Sequence, residues 1–183
     1  MKELSLNILD VAKNSVSAKA ENIEISLVTD ADGQLTLTIA DDGCGMSEET
    51  VRNVTDPFYT TRTTRKVGMG LPLLKLAAEQ TGGYLELVSS KDEADHGTTV
   101  KAVFDTKSID FMPVGDIVST VCILIAGSPE INFVFSDVSA ERSVHLDTAE
   151  LRAVLGDEVS LAEPEVGIWI SEYLKEQYEI GNN

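Results

Sequence analysis

Asp56-Pro57-Phe58-Tyr59-Thr60-Thr61-Arg62-Thr63-Thr64-Arg65-Lys66-Val67-Gly68-Met69-Gly70-Leu71-Pro72 is the stretch on which the reading of this chain turns. No acid occurs from Pro57 to Ala78, although the 183 residues carry 31 acids against 14 bases. Arg62, Arg65, Lys66 and Lys75 are the charges of that window. They lead into Gly68-Met69-Gly70 and an apolar run, Leu71 to Ala78, that reads as a helix. Pro72 suits the first position of such a helix, where its missing N–H costs nothing. A helix N-terminus presents free N–H groups and a partial positive charge, and flanking glycines let a ligand approach the backbone. With hydroxyls and cations just upstream, the stretch reads as a cradle for a polyphosphate. Taken alone, an ordinary glycine turn before a helix fits it at least as well, so other stretches must decide.

Length allows one large domain, or one of ordinary size with a small one beside it. A net charge of −17 repels nucleic-acid backbones and anionic membrane surfaces, so neither is expected as a partner. Residues 107–183 hold 4 bases and 14 acids and are the more acidic part, which suits a solvated acidic face or a basic protein partner. The longest apolar run, Val121–Ala126, is far too short to span a bilayer, and polar residues interrupt any signal-peptide pattern at the start. Cys44 and Cys122 stand far apart without metal-type spacing, and a reduced, cytoplasmic protein is expected.

Working outward in both directions, residues 2–19 read as a helix with Leu4, Ile8, Leu9, Val11, Ala12 and Val16 on one broad apolar face. Opposite it Asn7, Asp10, Asn14 and Ser17 form a narrow polar stripe. These residue types compete for the backbone and are poor helix-interior choices, so the stripe suggests a function. Ile23, Ile25 and Leu27 alternate, as do Leu35, Leu37 and Ile39, with Asp30-Ala31-Asp32-Gly33 between them: a hairpin of half-buried strands. The second strand runs into Asp41-Asp42-Gly43-Cys44-Gly45-Met46, and Ser47 opens a short helix. After the helix at 71–81, strands are expected at Tyr84–Ser89 and Thr98–Phe104. Beyond Thr106 come a helix at Asp116–Ala126, a second hairpin (Ile131–Ser136, Arg142–Leu146), a short helix at Ala149–Leu155 and a last one from Glu163-Pro164 carrying Val166, Trp169, Ile170, Tyr173 and Leu174.

This order of features resembles the GHKL (Bergerat-fold) ATP-binding family of histidine kinases, gyrase, heat-shock chaperone ATPases and MutL. Asn14 stands where the family has its N box, and Asp41–Met46 resembles the G1 box. Asp56–Arg62 is similar to the F box, Gly68-Met69-Gly70-Leu71 to G2 and Gly97-Thr98-Thr99 to G3. The resemblance covers about residues 4–104, and its F and G2 boxes look closest to those of histidine kinases. It implies an α/β two-layer sandwich, with helices over one face of a mixed sheet. Residues 1–106 are then an ATP-binding domain, and 107–183 a small α+β C-terminal domain of unknown role.

The resemblance also implies roles. Asp41 would accept a hydrogen bond from the adenine amine, a contact that leaves guanine unpaired. Gly43, Gly45 and Met46 would pass close to the base, and Thr98 would bond near it, directly or through water. Asn14 would give a neutral oxygen to Mg²⁺, which tolerates few protein ligands. Thr61, Arg62 and Lys66 belong to the segment that acts as a lid, with Gly68, Gly70 and Leu71 at the phosphates; Arg65 is solvated lid charge. Asp10, one turn before Asn14, is the candidate general base. The hydrolysing branches and the anti-sigma-factor serine kinases carry the longer glutamate there, and histidine kinases an amide or another residue; a shorter stem weakens general-base work, because geometry comes first. Pro72 removes one N–H near the phosphates. His96 and His145 are given no catalytic role, and Cys44 is a small packing residue. Because the chain begins almost at the N box, no upstream dimerisation helix with a phosphoacceptor histidine is expected. The expected function is a regulatory Mg-ATP-binding, histidine-kinase-like protein, acting as a protein kinase or ATPase on a partner or phosphoacceptor in another chain. The alternative is a non-catalytic module in which ATP or ADP switches binding of a partner protein. The Trp169/Tyr173 face either packs within the chain or joins a second subunit as a homodimer.

Overall fold

Alternating side chains make the first hairpin. In the computed structural model, which describes residues 3–55, 69–92, 94–156 and 158–180, strands β1 (Asn22–Thr29) and β2 (Gln34–Asp41) pair antiparallel with Ile25 opposite Ile39 and Leu27 opposite Leu37. Matching the apolar positions in this way fixes the register, since a slip of one residue would turn every Ile and Leu to solvent. Asp30 closes the turn, its Oδ1 accepting from Asp32 N at 3.0 Å and Gln34 N at 2.8 Å.

Strand β4 (Gly97–Asp105) pairs antiparallel with β2, and β3 (Tyr84–Ser90) pairs antiparallel with β4. On the far side of β1 lies β5 (Asn132–Val138), parallel to it, followed by antiparallel β6 (Ser143–Asp147). The six strands form one mixed sheet in the order β3-β4-β2-β1-β5-β6. The second hairpin expected from the sequence is therefore joined edge-on to the first. The sheet crosses position 106 without a break, and one continuous apolar core draws on both sides of that position, from Leu37 and Phe104 to Phe135 and Ile170.

Helices α1 (Leu4–Ser17), α2 (Glu48–Asn53), α3 (Gly70–Gln80), α4 (Ile117–Gly127), α5 (Thr148–Leu155) and α6 (Pro164–Ile180) complete the α/β sandwich. Leu4, Ile8, Val11 and Ala12 are buried on α1, as its apolar face predicts. α1 packs against α3 on one side and α4 on the other, and α4 against α6. Ser47 caps α2, its Oγ accepting from Thr50 N, and Asp116 caps α4 by accepting from Ser119 N at 2.9 Å. Pro72 lies two residues inside α3 instead of at its first position. The cost is nil for the same reason, because the first-turn N–H groups have no helical partner and the first bond runs from Leu73 N to Met69 O.

A buried ion pair lies at the far end of β5. Asp137, 1% exposed, accepts from Tyr178 Oη at 2.8 Å and faces Arg142 Nη2 at 3.2 Å. Burial, then the Asp137 charge, pushes the Tyr178 phenol far above its ordinary range, so it stays a hydrogen-bond donor.

Candidate functional site

The end of β2 holds two adjacent aspartates with different work. Asp42 Oδ1 accepts from Glu21 N (2.8 Å) and Asn22 N (2.9 Å), and its Oδ2 from Asn22 Nδ2 at 2.6 Å. Burial alone would raise its pKa, but these bonds from Asn22 and Glu21 outweigh it and hold the carboxyl below its ordinary value. Asp42 is thereby spent on tying β2 to the start of β1. Asp41 instead faces a cavity of about 270 Å³ bounded by α1, the loop after β2, α2, the start of α3 and the start of β4.

Two groups orient Asp41. Ser15 Oγ donates to its Oδ2 at 2.5 Å, and Gly43 N donates to its Oδ1 at 2.9 Å. Each oxygen keeps a lone pair for a further donor, so the pair makes a fixed acceptor for an N–H entering the cavity. Register places Thr98 directly opposite Asp41 on β4. Thr98 Oγ1 lies 2.8 Å from Ser89 Oγ, which also lies 2.9 Å from Gly97 O and accepts from Met46 N at 2.8 Å. Ser89 has one proton; giving it to Gly97 O makes Thr98 the donor to Ser89 and leaves Thr98 Oγ1 free to accept. Gly45 holds the loop against this strand pair. Its φ is +64°, and a Cβ there would sit 1.7 Å from Ser90 O. No other residue fits that approach.

α1 supplies the other wall. Val11, Asn14 and Ser15 line the cavity with Leu71 of α3, Met46 and Val100. Asp10 lies one turn before Asn14 and against the N-terminus of α3: a Cβ on Gly70 would meet Asp10 Cβ at 2.9 Å. The backbone at Asp10 therefore packs against the first residue of α3, whose opening N–H groups favour anions.

The structure thus brings Asp10, Asn14, Asp41, Gly43, Gly45, Met46, Gly70, Leu71 and Thr98 to one region. Thr61, Arg62, Lys66 and Gly68, with Arg65, lie outside the described residues. The polar stripe of α1 is divided, which corrects the expectation of one functional row. Asn7 is buried with Nδ2 3.5 Å from Met112 Sδ, covered by the segment after β4, whereas Ser17, its Oγ returning to Lys13 O at 2.9 Å, still lines the cavity. Two residues that carry the site were not singled out from the sequence. Ser15 orients Asp41, and Ser89 holds both Met46 and Thr98; a serine on a buried helix face and one opposite Thr98 were the available signals. His96 Nδ1 lies 2.9 Å from Gly43 O and latches the β3–β4 turn to the loop.

The donor set suits a nucleotide with its cation. A fixed carboxylate acceptor lies within an apolar cavity, and Asn14 and the start of α3 line the same cavity. The Asn14 amide would suit Mg²⁺, which takes most of its ligands from phosphate and water. Among the described residues no helix is long and apolar enough to cross a membrane.

Known proteins share both sequence and fold with this chain. The C4-dicarboxylate transport sensor protein DctB of Pseudomonas aeruginosa is 32% identical over 89 residues, 48% of this chain and 14% of DctB. Sensor histidine kinase CpxA of Escherichia coli is 30% identical over 86 residues, 44% of this chain and 19% of CpxA. Sensor histidine kinase YxdK of Bacillus subtilis is 30% identical over 113 residues, 58% of this chain and 34% of YxdK. The chain thus spans 14–34% of the length of these relatives. Among solved structures, the Aquifex aeolicus MutL ATPase domain complexed with ADP shares the fold, with TM-score 0.52 and 16% identity over 74% of this chain and 60% of that one. The N-terminal domain of a DNA repair protein does so with TM-score 0.58 and 14% identity, over 86% of this chain and 58% of that one. Residues 1–108 match the family described as histidine kinase-, DNA gyrase B- and HSP90-like ATPases, and with more than half of its length inside that match the chain belongs to this family.

Proposed function

We propose that the chain is a regulatory, histidine-kinase-like protein of the cytoplasm that binds Mg-ATP in the cavity at Asp41 and turns it over as a protein kinase or ATPase. The observation that carries this reading is the carboxylate of Asp41, fixed by Ser15 and Gly43 with acceptor capacity left toward the cavity. Asp41 takes the hydrogen bond of the adenine amine, and Gly45 and Met46 flank the base. Asn14 gives its amide oxygen to the cation, and the opening N–H groups of α3 at Gly70 and Leu71 receive phosphate oxygens. ATP supplies a transferable phosphoryl group, and Mg²⁺ disperses its charge. Asp10, beside that helix end, accepts the proton of an attacking water or of a partner's hydroxyl. Residues 1–106 form the nucleotide unit, and 107–183 serve as its extension toward a protein partner.

Radiolabelled ATP tests the reading. Mg-ATP is expected to bind the wild-type chain and GTP far more weakly. Turnover, alone or with a partner present, should fall by about 10²–10⁴ in Asp10→Asn. Turnover unchanged in that variant removes Asp10 as the base. ATP binding without turnover leaves a nucleotide-switched binding module, and no ATP binding defeats the proposal.

A further inference from the structure

A trough of about 560 Å³ opens between α5 and α6, well apart from the nucleotide cavity, with Leu146 of β6 at its floor. Leu151 and Leu155 of α5 and Val166 of α6 make its walls. Trp169 stacks on Tyr173, with centroids 5.0 Å apart and planes at 9°, and both rings border the trough. Val154 at its mouth is 84% exposed and Trp169 48%. Along α6 the lining runs from Glu165 to Tyr173. Those eight steps cover about 12 Å, slightly more than two helical turns.

The rim has one sign of charge: Asp147, Glu150 and Glu165. The arginines of this part of the chain do not answer it. Arg142 is committed to Asp137, and Arg152 turns inward, its Nη2 donating to Pro129 O at 2.7 Å and Ile131 O at 2.6 Å and its Nη1 to Asn132 Oδ1. Strand addition at the β6 edge is blocked at its centre, where Gln177 takes up both backbone groups of His145: His145 N donates to Oε1 at 2.8 Å and Nε2 donates to His145 O at 3.0 Å. A second copy would bring another net −17 against the same rim.

We infer that this trough docks a cationic amphipathic helix of another protein, with apolar residues at i, i+4 and i+7 seated between Leu151, Leu155 and Trp169 and with lysines or arginines over Asp147, Glu150 and Glu165. An apolar guest stripe two turns long matches the trough length, and flanking cations match three rim acids that have no cationic side-chain partner among the described residues. The surface is separate from the nucleotide site, so the test is run without nucleotide and its failure leaves the nucleotide reading untouched.

Trp169 is the chain's single tryptophan, so its emission reports on this trough alone. The full chain is titrated with a synthetic Leu/Lys peptide of roughly 15 residues, long enough to become helical. Its Leu/Glu counterpart serves as the second probe. A saturable blue shift with the Leu/Lys peptide and none with Leu/Glu is expected. Glu150→Lys with Glu165→Lys should weaken binding at least about tenfold, equivalent to about 1.4 kcal/mol. Val154→Asp, at a position too exposed to disturb the fold, should weaken it likewise. Asp32→Lys with Asp110→Lys, both exposed at the opposite end of the sheet, makes the same change in net charge away from the trough and should keep the affinity. Absence of a shift, equal response to both peptides, or equal weakening in the Asp32/Asp110 variant overturns the proposal. So does a dimer of the free chain, seen by sedimentation, that Val154→Asp splits, since the occupant would then be a second copy.

Discussion

Asp41→Asn changes one atom at the centre of the cavity, and its effects on fold and ligand separate cleanly. Asparagine can keep its Oδ1 toward Gly43 N, which donates to Asp41 at 2.9 Å, and can turn its Nδ2 toward Ser15 Oγ. The loop keeps its bonds but loses their ionic character, a difference of about 1 kcal/mol between charged and neutral hydrogen bonds. For ATP the loss is larger, because a donor now faces the adenine amine. An ionic hydrogen bond worth about 1.5–3 kcal/mol disappears, and a buried donor without a partner costs about 1–3 kcal/mol more. Together these give about 4 kcal/mol, on the order of 10³-fold in Kd. Calorimetric titration with Mg-ATP measures this, with thermal unfolding as the control on the fold. Affinity within about fivefold of wild type in a folded variant would refute the placement of the base at Asp41. Ser15→Ala, which keeps the carboxylate and removes one orienting bond, should cost only about 1–1.5 kcal/mol in binding, roughly tenfold.

Three other outcomes follow from the same structure. Gly45→Ala forces a Cβ to within 1.7 Å of Ser90 O at a φ of +64°, so the loop must shift, and stability should fall by about 3 kcal/mol or more in denaturant unfolding. Lys19, just past the end of α1, has φ +62°. Lys19→Gly relieves about 1–2 kcal/mol of left-handed strain against about 0.5–1 kcal/mol of chain entropy, so Tm should rise by roughly 1–2 °C. The Asp42 carboxyl is held below its ordinary value of 3.8 in the folded chain. Its contribution is therefore complete above that pH and lost as the pH falls further, through the folded value. Asp42→Asn should flatten the stability profile below about pH 4, and an unchanged acid limb would count against the role given to the bonds from Asn22 and Glu21.

The secondary structure was largely legible because it rests on local patterns. Leu35, Leu37 and Ile39 declare a strand, and Leu4, Ile8 and Val11 a helix face, whatever lies elsewhere. Pairing between distant strands was not legible. Period-two alternation tells which face Phe133 and Phe135 use but not which strand lies beside them, so the second hairpin reads as separate until β5 is found against β1. That Asp41, Asn14 and Thr98 share one cavity could be read because family boxes mark them. Ser15 and Ser89 act through other residues, and such positioning depends on packing angles that spacing does not encode. Asn7 misled for the same reason: the helical wheel gave its angle on α1 correctly, but Met112, over a hundred residues away, covers it.

The parallel partnership of β1 with β5 has a consequence for how the chain is made. Asn22 meets Asn132 across 110 residues, while β1 and β2 meet across a four-residue turn. On a ribosome the first hairpin can form early, yet one edge of β1 stays open until nearly three-quarters of the polypeptide has emerged. During that interval the row of Ile23, Ile25 and Leu27 has a bare flank, and long-range closure sets the pace of maturation. Residues 1–131 already carry 20 acids against 11 bases, so net negative charge holds nascent chains apart until the last interior strand arrives.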